Sequence, residues 1–222
     1  MDLFPELPKE IRGKLNKLYS AAICDVMDLH GFWNQTMVHT IKPLDKNMRM
    51  FGRALTILAV EVYKVPEKPY KLEIESVDSI KKGDVLVVTQ NGCESASFWG
   101  ELLSTSSMYK GAEGIVIDGF TRDAKGILDL KFPCFVNGLT PADSKGRMDV
   151  IDNNIPINCG GVIVNPGDYI FGDIDGVCVI PKNYVVEILA DALAKIEKER
   201  NVRKDLEDGK TVGEVFEKYG IL

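Results

Sequence analysis

Residues 155–180 carry four short apolar runs, Ile155 to Cys159, Val162 to Val164, Tyr169 to Phe171 and Val177 to Ile180, broken by Gly-Gly, Asn-Pro-Gly-Asp and Asp-Gly turns. Runs this short, closed by such turn chemistry, read as strands, so the core must contain β structure. Upstream, Ala54 to Val62 is rich in β-formers and reads as a buried strand. Asp84 to Thr89, Gly114 to Ile117 and Pro133 to Asn137 read as further strands. Between them the pattern predicts a polar loop over Gln90 to Ser97, a helix from about Phe98 to Tyr109 closed by Gly111, and a short helix over Arg122 to Leu130. Residues 140–154 read as a polar loop. At the front, Ile11, Leu15 and Leu18 share one face of a helix over Lys9 to Leu18, and Ser20 caps a second helix, Ala21 to Leu29, which Gly31 ends. At the back, Pro181 suits the first turn of a long helix running to about Leu206. Thr211 and Glu214 form a capping box for a last helix that Gly220 ends. The expected chain is one α/β domain over residues 1–222, with residues 182–222 a helical arm. Exposed apolar faces on such an arm imply a partner subunit.

Bulk properties narrow the function. With 222 residues, 45% of them hydrophobic, the chain can bury a sizeable core. A net charge of −6 and the lack of any long Lys/Arg run argue against a nucleic-acid partner. The five cysteines are scattered, with no CxxC pair or Cys/His cluster, which argues against structural zinc and for a reducing compartment. No stretch of about 18 apolar residues and no signal-like N-terminus is present, so no membrane association is expected and the cytoplasm is the expected location.

Two segments could carry chemistry. Gly114–Ile117 leads into Asp118-Gly119, expected to be a tight turn, and then into Arg122-Asp123. Ligands in α/β proteins collect at the carboxyl ends of strands. An Arg there offers forked donors for a carboxylate or enolate oxygen, and a lone Asp can hold a largely hydrated Mg²⁺. Taken alone, Arg122-Asp123 reads more simply as the first turn of a surface helix. In the second segment, Trp99-Gly100-Glu101-Leu102-Leu103, a glycine entering a helix exposes backbone amides to an anion, with Glu101 as an acid/base group at the mouth. A first-turn Glu stabilising its own helix is the plainer reading. Pro166-Gly167-Asp168 and Gly172-Asp173-Ile174-Asp175-Gly176 read as turns whose carboxylates could also bind a metal.

Taken in order, Gly100-Glu101-Leu102-Leu103, Gly114-Ile-Val-Ile-Asp118-Gly119, Arg122-Asp123, Thr140-Pro141, Asp143-Ser144, Gly160-Gly161-Val162, Pro166-Gly167-Asp168, Gly172-Asp173-Ile174-Asp175-Gly176-Val177 and Ile180-Pro181 resemble the RraA-like family. That family includes the 4-hydroxy-4-methyl-2-oxoglutarate / 4-carboxy-4-hydroxy-2-oxoadipate aldolases. The likeness runs from about Ser20 to the C-terminal Leu222, and it reverses the plainer readings of Glu101, Arg122 and Asp123. It implies an α/β/β/α sandwich like the swivelling phosphohistidine domain, in trimers or hexamers with sites between subunits. It implies that Asp123 holds Mg²⁺ or Mn²⁺, and that Arg122 and the amides of Gly100 to Leu103 hold the pyruvyl part of a 2-oxo acid. Glu101 falls where members carry an acidic residue, often Asp, that positions a water. A Glu from the neighbouring subunit's C-terminal helix also enters the aldolase site, with Glu199 the candidate and Glu197 the alternative. The implied activity is class II retro-aldol cleavage of 4-hydroxy-2-oxo acids together with oxaloacetate decarboxylation. Shorter members regulate a ribonuclease by binding it, which is the competing function.

Overall fold

One twelve-residue strand, β2 (Met50–Glu61), organises the sheet. The computed structural model describes Phe4 and residues 6–221. Along one edge β2 pairs in parallel with β3 (Asp84–Thr89), from Arg53 opposite Asp84 to Leu58 opposite Thr89. Along the other edge it pairs antiparallel with β9 (Tyr169–Gly172) near its start and with β6 (Met148–Asn153) near its end. Beyond β3 come β4 (Gly114–Thr121) and β5 (Cys134–Leu139), both parallel, and the short β1 (Lys42–Pro43) edges the sheet against β5. Beyond β9 lies β10 (Val177–Ile180), and β7 (Ile157–Cys159) with β8 (Val162–Val164) forms a separate ribbon. Parallel neighbours need crossovers. Helices α3 (Lys71–Asp78), α4 (Glu101–Lys110) and α5 (Ala124–Leu130) supply them.

Side-chain alternation sorts the strands into three cores. Leu86 and Val88 of β3, with Ile115 and Ile117 of β4, face the core that holds Val77 of α3 and Ile127 of α5. Val85 and Val87 point the other way, toward Ile170 of β9, Val177 and Val179 of β10 and the β7–β8 ribbon. The outward residues Tyr169, Phe171, Cys178 and Ile180 meet Ile23 and Met27 of α2 (Ser20–Leu29) and Ile188 and Leu189 of α6 (Val185–Glu207). Both faces of β3 are covered, which is why its six residues are all buried. The result is a mixed α/β fold with C-terminal helices. Among the described residues no helix is long and apolar enough to cross a membrane.

Several expectations need correction. Lys9 to Leu18 is not one helix but α1 (Lys9–Arg12) followed, after Gly13, by a 3₁₀ turn over Leu15–Lys17. Ser20 does not cap α2. It is the first helical residue, and its N–H and hydroxyl donate to Asp173 at 2.8 and 2.7 Å, tying α2 to the β9–β10 turn. The loop expected over residues 140–154 contains β6, because Met148 and Val150 alternate with polar neighbours and face the first core. Helix α4 starts at Glu101 rather than Phe98, since Phe98 and Trp99 pair with β4 instead. Pro181 precedes a turn, and α6 begins only at Val185. Helix α7 (Val212–Tyr219) does carry the Thr211/Glu214 capping box and ends at a left-handed Gly220. It lies against α6, where Asp205 receives Lys218, Lys210 and Tyr219.

Candidate active site

The end of β4 is shaped by a buried glutamine. Gln90 donates its side-chain amide to Ala96 O at 2.9 Å and Cys93 O at 3.3 Å, and its oxygen accepts from the Phe120 N–H. Gly119 makes room for it: a Cβ there would lie 1.9 Å from the Gln90 oxygen. Residues 91–98 are thereby fastened to β4. Asp118-Gly119 is consequently not a turn, as the sequence suggested, but the interior of a strand with a register irregularity between Ile117 and Phe120. Asp118 is structural: it accepts from Asn137 Nδ2 at 2.8 Å and from the Gly160 N–H at 2.9 Å. Asp168 and Asp173 likewise hold turns, through the N–H groups of Asn165 and Lys182 and through Ser20 and the Asp175 N–H.

The chain reverses at Arg122 and Asp123. Arg122 N–H donates to Trp99 O at 2.9 Å, and Thr121 Oγ1 donates to the same oxygen at 3.0 Å. Trp99 is buried, and its Nε1 donates to Ser104 Oγ at 2.7 Å, while that hydroxyl donates to Gly100 O at 2.9 Å. These bonds deliver Gly100, the N-cap of α4, against Asp123. A Cβ on Gly100 would lie 2.6 Å from Asp123 Oδ2 and 3.4 Å from Arg122 Cγ. Asp123 itself occupies the N-cap of α5 with φ 54° and ψ 33°, a left-handed conformation that is uncommon without glycine. An Asp at that position ordinarily caps its helix. Here it makes no capping bond, and its carboxylate turns to Gly100 instead. Arg122, expected inside the helix, stands before it.

Glu101, the first residue of α4, leans across to α5: a Cβ on Gly126 would lie 2.4 Å from its Oε2. Gly100, Arg122 and Asp123 therefore meet where α4 and α5 begin, beside the first turn of α4, whose amides have no intrahelical acceptor, while the Glu101 carboxylate lies over Gly126. Leu102 is exposed and Leu103 packs on the first core. A cleft of 350 Å³ opens here, lined by Thr121, Arg122, Asp123, Ala124, Leu139, Thr140 and Pro141. A larger hollow of 680 Å³, lined by residues such as Arg49, Lys131 and Pro133, lies at the opposite, amino end of β5.

Three residues absent from the sequence-based site border it. Arg122 Nη2 lies 3.3 Å from Asp143 Oδ1, and Tyr70 donates its hydroxyl to Asp143 Oδ2 at 2.6 Å. Burial lifts the Asp143 carboxyl, but the Tyr70 hydroxyl, the Arg122 charge and the Ser144 and Lys145 N–H groups outweigh it and hold it below the usual range. Burial, aided by the charges of Asp143 and Asp149 and opposed by Arg122, pushes Glu73 up to about 8. Tyr70 is the N-cap of α3 and Glu73 lies in its first turn. Glu199 lies elsewhere in the chain: on α6 it takes the Tyr19 hydroxyl and lies 3.0 Å from Lys195 Nζ. Glu197 is exposed on the same helix, 3.6 Å from Arg200.

Among the described residues no group of three or more His, Cys, Asp or Glu could enclose a metal ion. The donors at the α4–α5 junction are the half-exposed Asp123 carboxylate and Glu101. Hard oxygen donors this few suit a cation that keeps most of its water, such as Mg²⁺ or Mn²⁺, and do not suit zinc.

The chain is similar to known proteins in sequence and fold. A family model described as RraA-like, Aldolase/RraA, matches residues 20–179. A Halalkalibacterium halodurans protein named "Putative 4-hydroxy-4-methyl-2-oxoglutarate aldolase" is 35% identical over 176 residues, 79% of each chain. Protein DlpA of Legionella pneumophila is 30% identical over 90% of this chain, a match that spans 32% of that relative. The structure of Streptomyces coelicolor RraAS2, titled an unusual member of the RNase ES inhibitor RraA protein family, aligns with a TM-score of 0.78 at 27% identity, over 88% of this chain and 96% of its own. The matched span includes every residue lining the cleft, together with Tyr70, Gly100 and Asp143. The chain belongs to the RraA-like family.

Proposed function

We propose that this protein is a divalent-cation-dependent lyase that cleaves 4-hydroxy-2-oxo acids such as 4-hydroxy-4-methyl-2-oxoglutarate, and decarboxylates oxaloacetate at the same site. The observation that carries this reading is the Asp123 carboxylate turned away from its own helix onto Gly100, beside Arg122 and the start of α4. Asp123 would hold Mg²⁺ or Mn²⁺, with Glu101 close by. When bound, the cation supplies positive charge where the ketone oxygen becomes an enolate. Arg122 and the amides of Gly100 to Leu103 bind the pyruvyl carboxylate and carbonyl. In aldol cleavage Glu101 takes the proton of the C4 hydroxyl, the C3–C4 bond breaks, C4 becomes a carbonyl, and the electron pair stays on the pyruvate fragment as its enolate. Oxaloacetate loses CO₂ to give the same enolate. Protonation at C3 then yields pyruvate in both cases.

The direct test is pyruvate release from a panel of 2-oxo acids with Mg²⁺, and Glu101 gives it resolution. Decarboxylation needs no base to begin, whereas aldol cleavage must lose a hydroxyl proton. Glu101→Gln should lower kcat/KM for aldol cleavage on the order of a hundredfold and leave decarboxylation within a few-fold. Equal losses in both reactions would make Glu101 a positioning residue.

The same reading includes an α/β/β/α sandwich of the swivelling phosphohistidine type, which the succession of helices and strands across the three cores supports. It also includes assembly as a trimer or hexamer, bringing Glu199 of one subunit toward the cleft of another. Exposed Leu206, Val212 and Phe216 on α6 and α7 support such packing. Sedimentation as a stable monomer at micromolar concentration would remove both the assembly and any role for Glu199. The likeness to RraAS2 favours a second reading, regulation of a ribonuclease by binding. That binding would survive Asp123→Ala, whereas lyase activity would not.

A further inference from the structure

Arg122 has a second carboxylate partner besides Asp123. Asp143 Oδ1 lies 3.3 Å from Arg122 Nη2, and Tyr70 donates to the other oxygen of that carboxylate at 2.6 Å. Tyr70 is the N-cap of α3 and holds φ 64°, a left-handed conformation costly for an aromatic residue. Such an outlier persists only where its surroundings fix it, and here it aims the phenol at Asp143. Glu73, in the first turn of α3, is buried with 8% of its surface exposed. The charged groups acting on it are Asp143, Asp149 of β6 and Arg122. A helix N-cap alone needs neither a buried acid nor a phenol on a carboxylate 73 residues away.

We propose that Tyr70, Asp143 and Glu73 are positioning residues, which set the direction and the charge balance of the Arg122 guanidinium toward the carboxylate of a 2-oxo acid. This rests on the site assignment above. Two carboxylates, Asp123 and Asp143, already flank the single positive charge of Arg122. An ionised Glu73 would add a further negative charge acting on that guanidinium and weaken its hold on an anionic substrate. With its midpoint raised to about 8, Glu73 is mostly protonated at neutral pH and gains its charge as the pH rises through that value. Anion affinity is therefore present below about 8 and falls above it.

Oxalate, a dianion with the outline of pyruvate enolate, is the probe. Its Kd with Mg²⁺, by calorimetry, is compared from about pH 6.5 to about 9 in wild type, Glu73→Gln and Tyr70→Phe, with kcat and KM for oxaloacetate measured alongside. Wild-type affinity should weaken about tenfold across that range, the effect of one added charge whose field reaches the guanidinium. Glu73→Gln should abolish that loss. Tyr70→Phe should weaken oxalate several-fold at every pH and raise KM more than it lowers kcat. A wild type that binds oxalate but turns over nothing overturns the lyase reading and leaves this test intact. An unchanged alkaline loss in Glu73→Gln, with normal affinity in Tyr70→Phe, overturns the positioning role, and a wild type that binds no oxalate overturns both.

Discussion

Asp123→Ala should leave a folded protein with no measurable turnover, and added Mg²⁺ or Mn²⁺ should not rescue it. The fold should survive because Asp123 makes no capping bond to α5 and its side chain is half exposed, so its removal takes away little packing. Replacing a left-handed Asp by Ala costs about 1 kcal/mol of backbone strain, well short of unfolding a domain. Turnover should fail because Asp123 is the carboxylate that lies on Gly100 beside Arg122. In wild type, excess chelator should abolish activity reversibly, since a cation held by so few protein oxygens binds weakly. Gly100→Ala separates place from presence. Its backbone is extended, with φ −163°, so alanine adds no backbone strain, but its Cβ would press within 2.6 Å of the carboxylate. The carboxylate must shift, and a displacement of that size should lower kcat on the order of a hundredfold with little change in Tm. Assays of the three proteins over a Mg²⁺ titration, paired with thermal denaturation, check this. Wild-type rates in Asp123→Ala would refute it.

Arg122→Ala should depress aldol cleavage and oxaloacetate decarboxylation by comparable factors, on the order of a hundredfold or more each, or about 2.7 kcal/mol of transition-state stabilisation. The two reactions release different fragments but share the pyruvate enolate, and Arg122 addresses only the shared part. Its guanidinium uses Nε toward Asp123 and Nη2 toward Asp143, which leaves donors of the five-donor fork for the substrate. Arg122→Lys should recover little, because an ammonium cannot reproduce that fork. The check is kcat/KM for both substrates in both variants. A loss confined to one reaction would assign Arg122 to the leaving fragment instead.

The strands were legible where both faces are buried, as in β3 and the β9–β10 pair, because continuous apolar runs between turn residues admit few alternatives. Strand β6 was hidden because Met148 and Val150 sit among residues of loop-like composition, and only pairing with β2 makes them a strand. Helix α3 was missed because it is only eight residues long and begins at a left-handed Tyr70 without a side-chain cap, and with it went Tyr70 and Glu73. The motif residues Gly100, Arg122 and Asp123 could be found by their order in the chain. Their geometry could not, since the left-handed Asp123 and the path of the Gln90 side chain over Gly119 arise from tertiary contacts. The same holds for Asp118, which looked like part of a reactive turn and instead ties β4 to Asn137 and Gly160.

Enolate stabilisation can be measured without knowing the natural substrate. Pyruvate is incubated in D₂O with the wild-type protein and Mg²⁺, and loss of its methyl proton signal is followed by NMR. If the site stabilises the enolate, exchange should run far above the buffer rate, stop with chelator, and be absent in Asp123→Ala and Arg122→Ala. Exchange at the buffer rate in wild type, or exchange that persists unchanged in both variants, would contradict the assignment of this cleft.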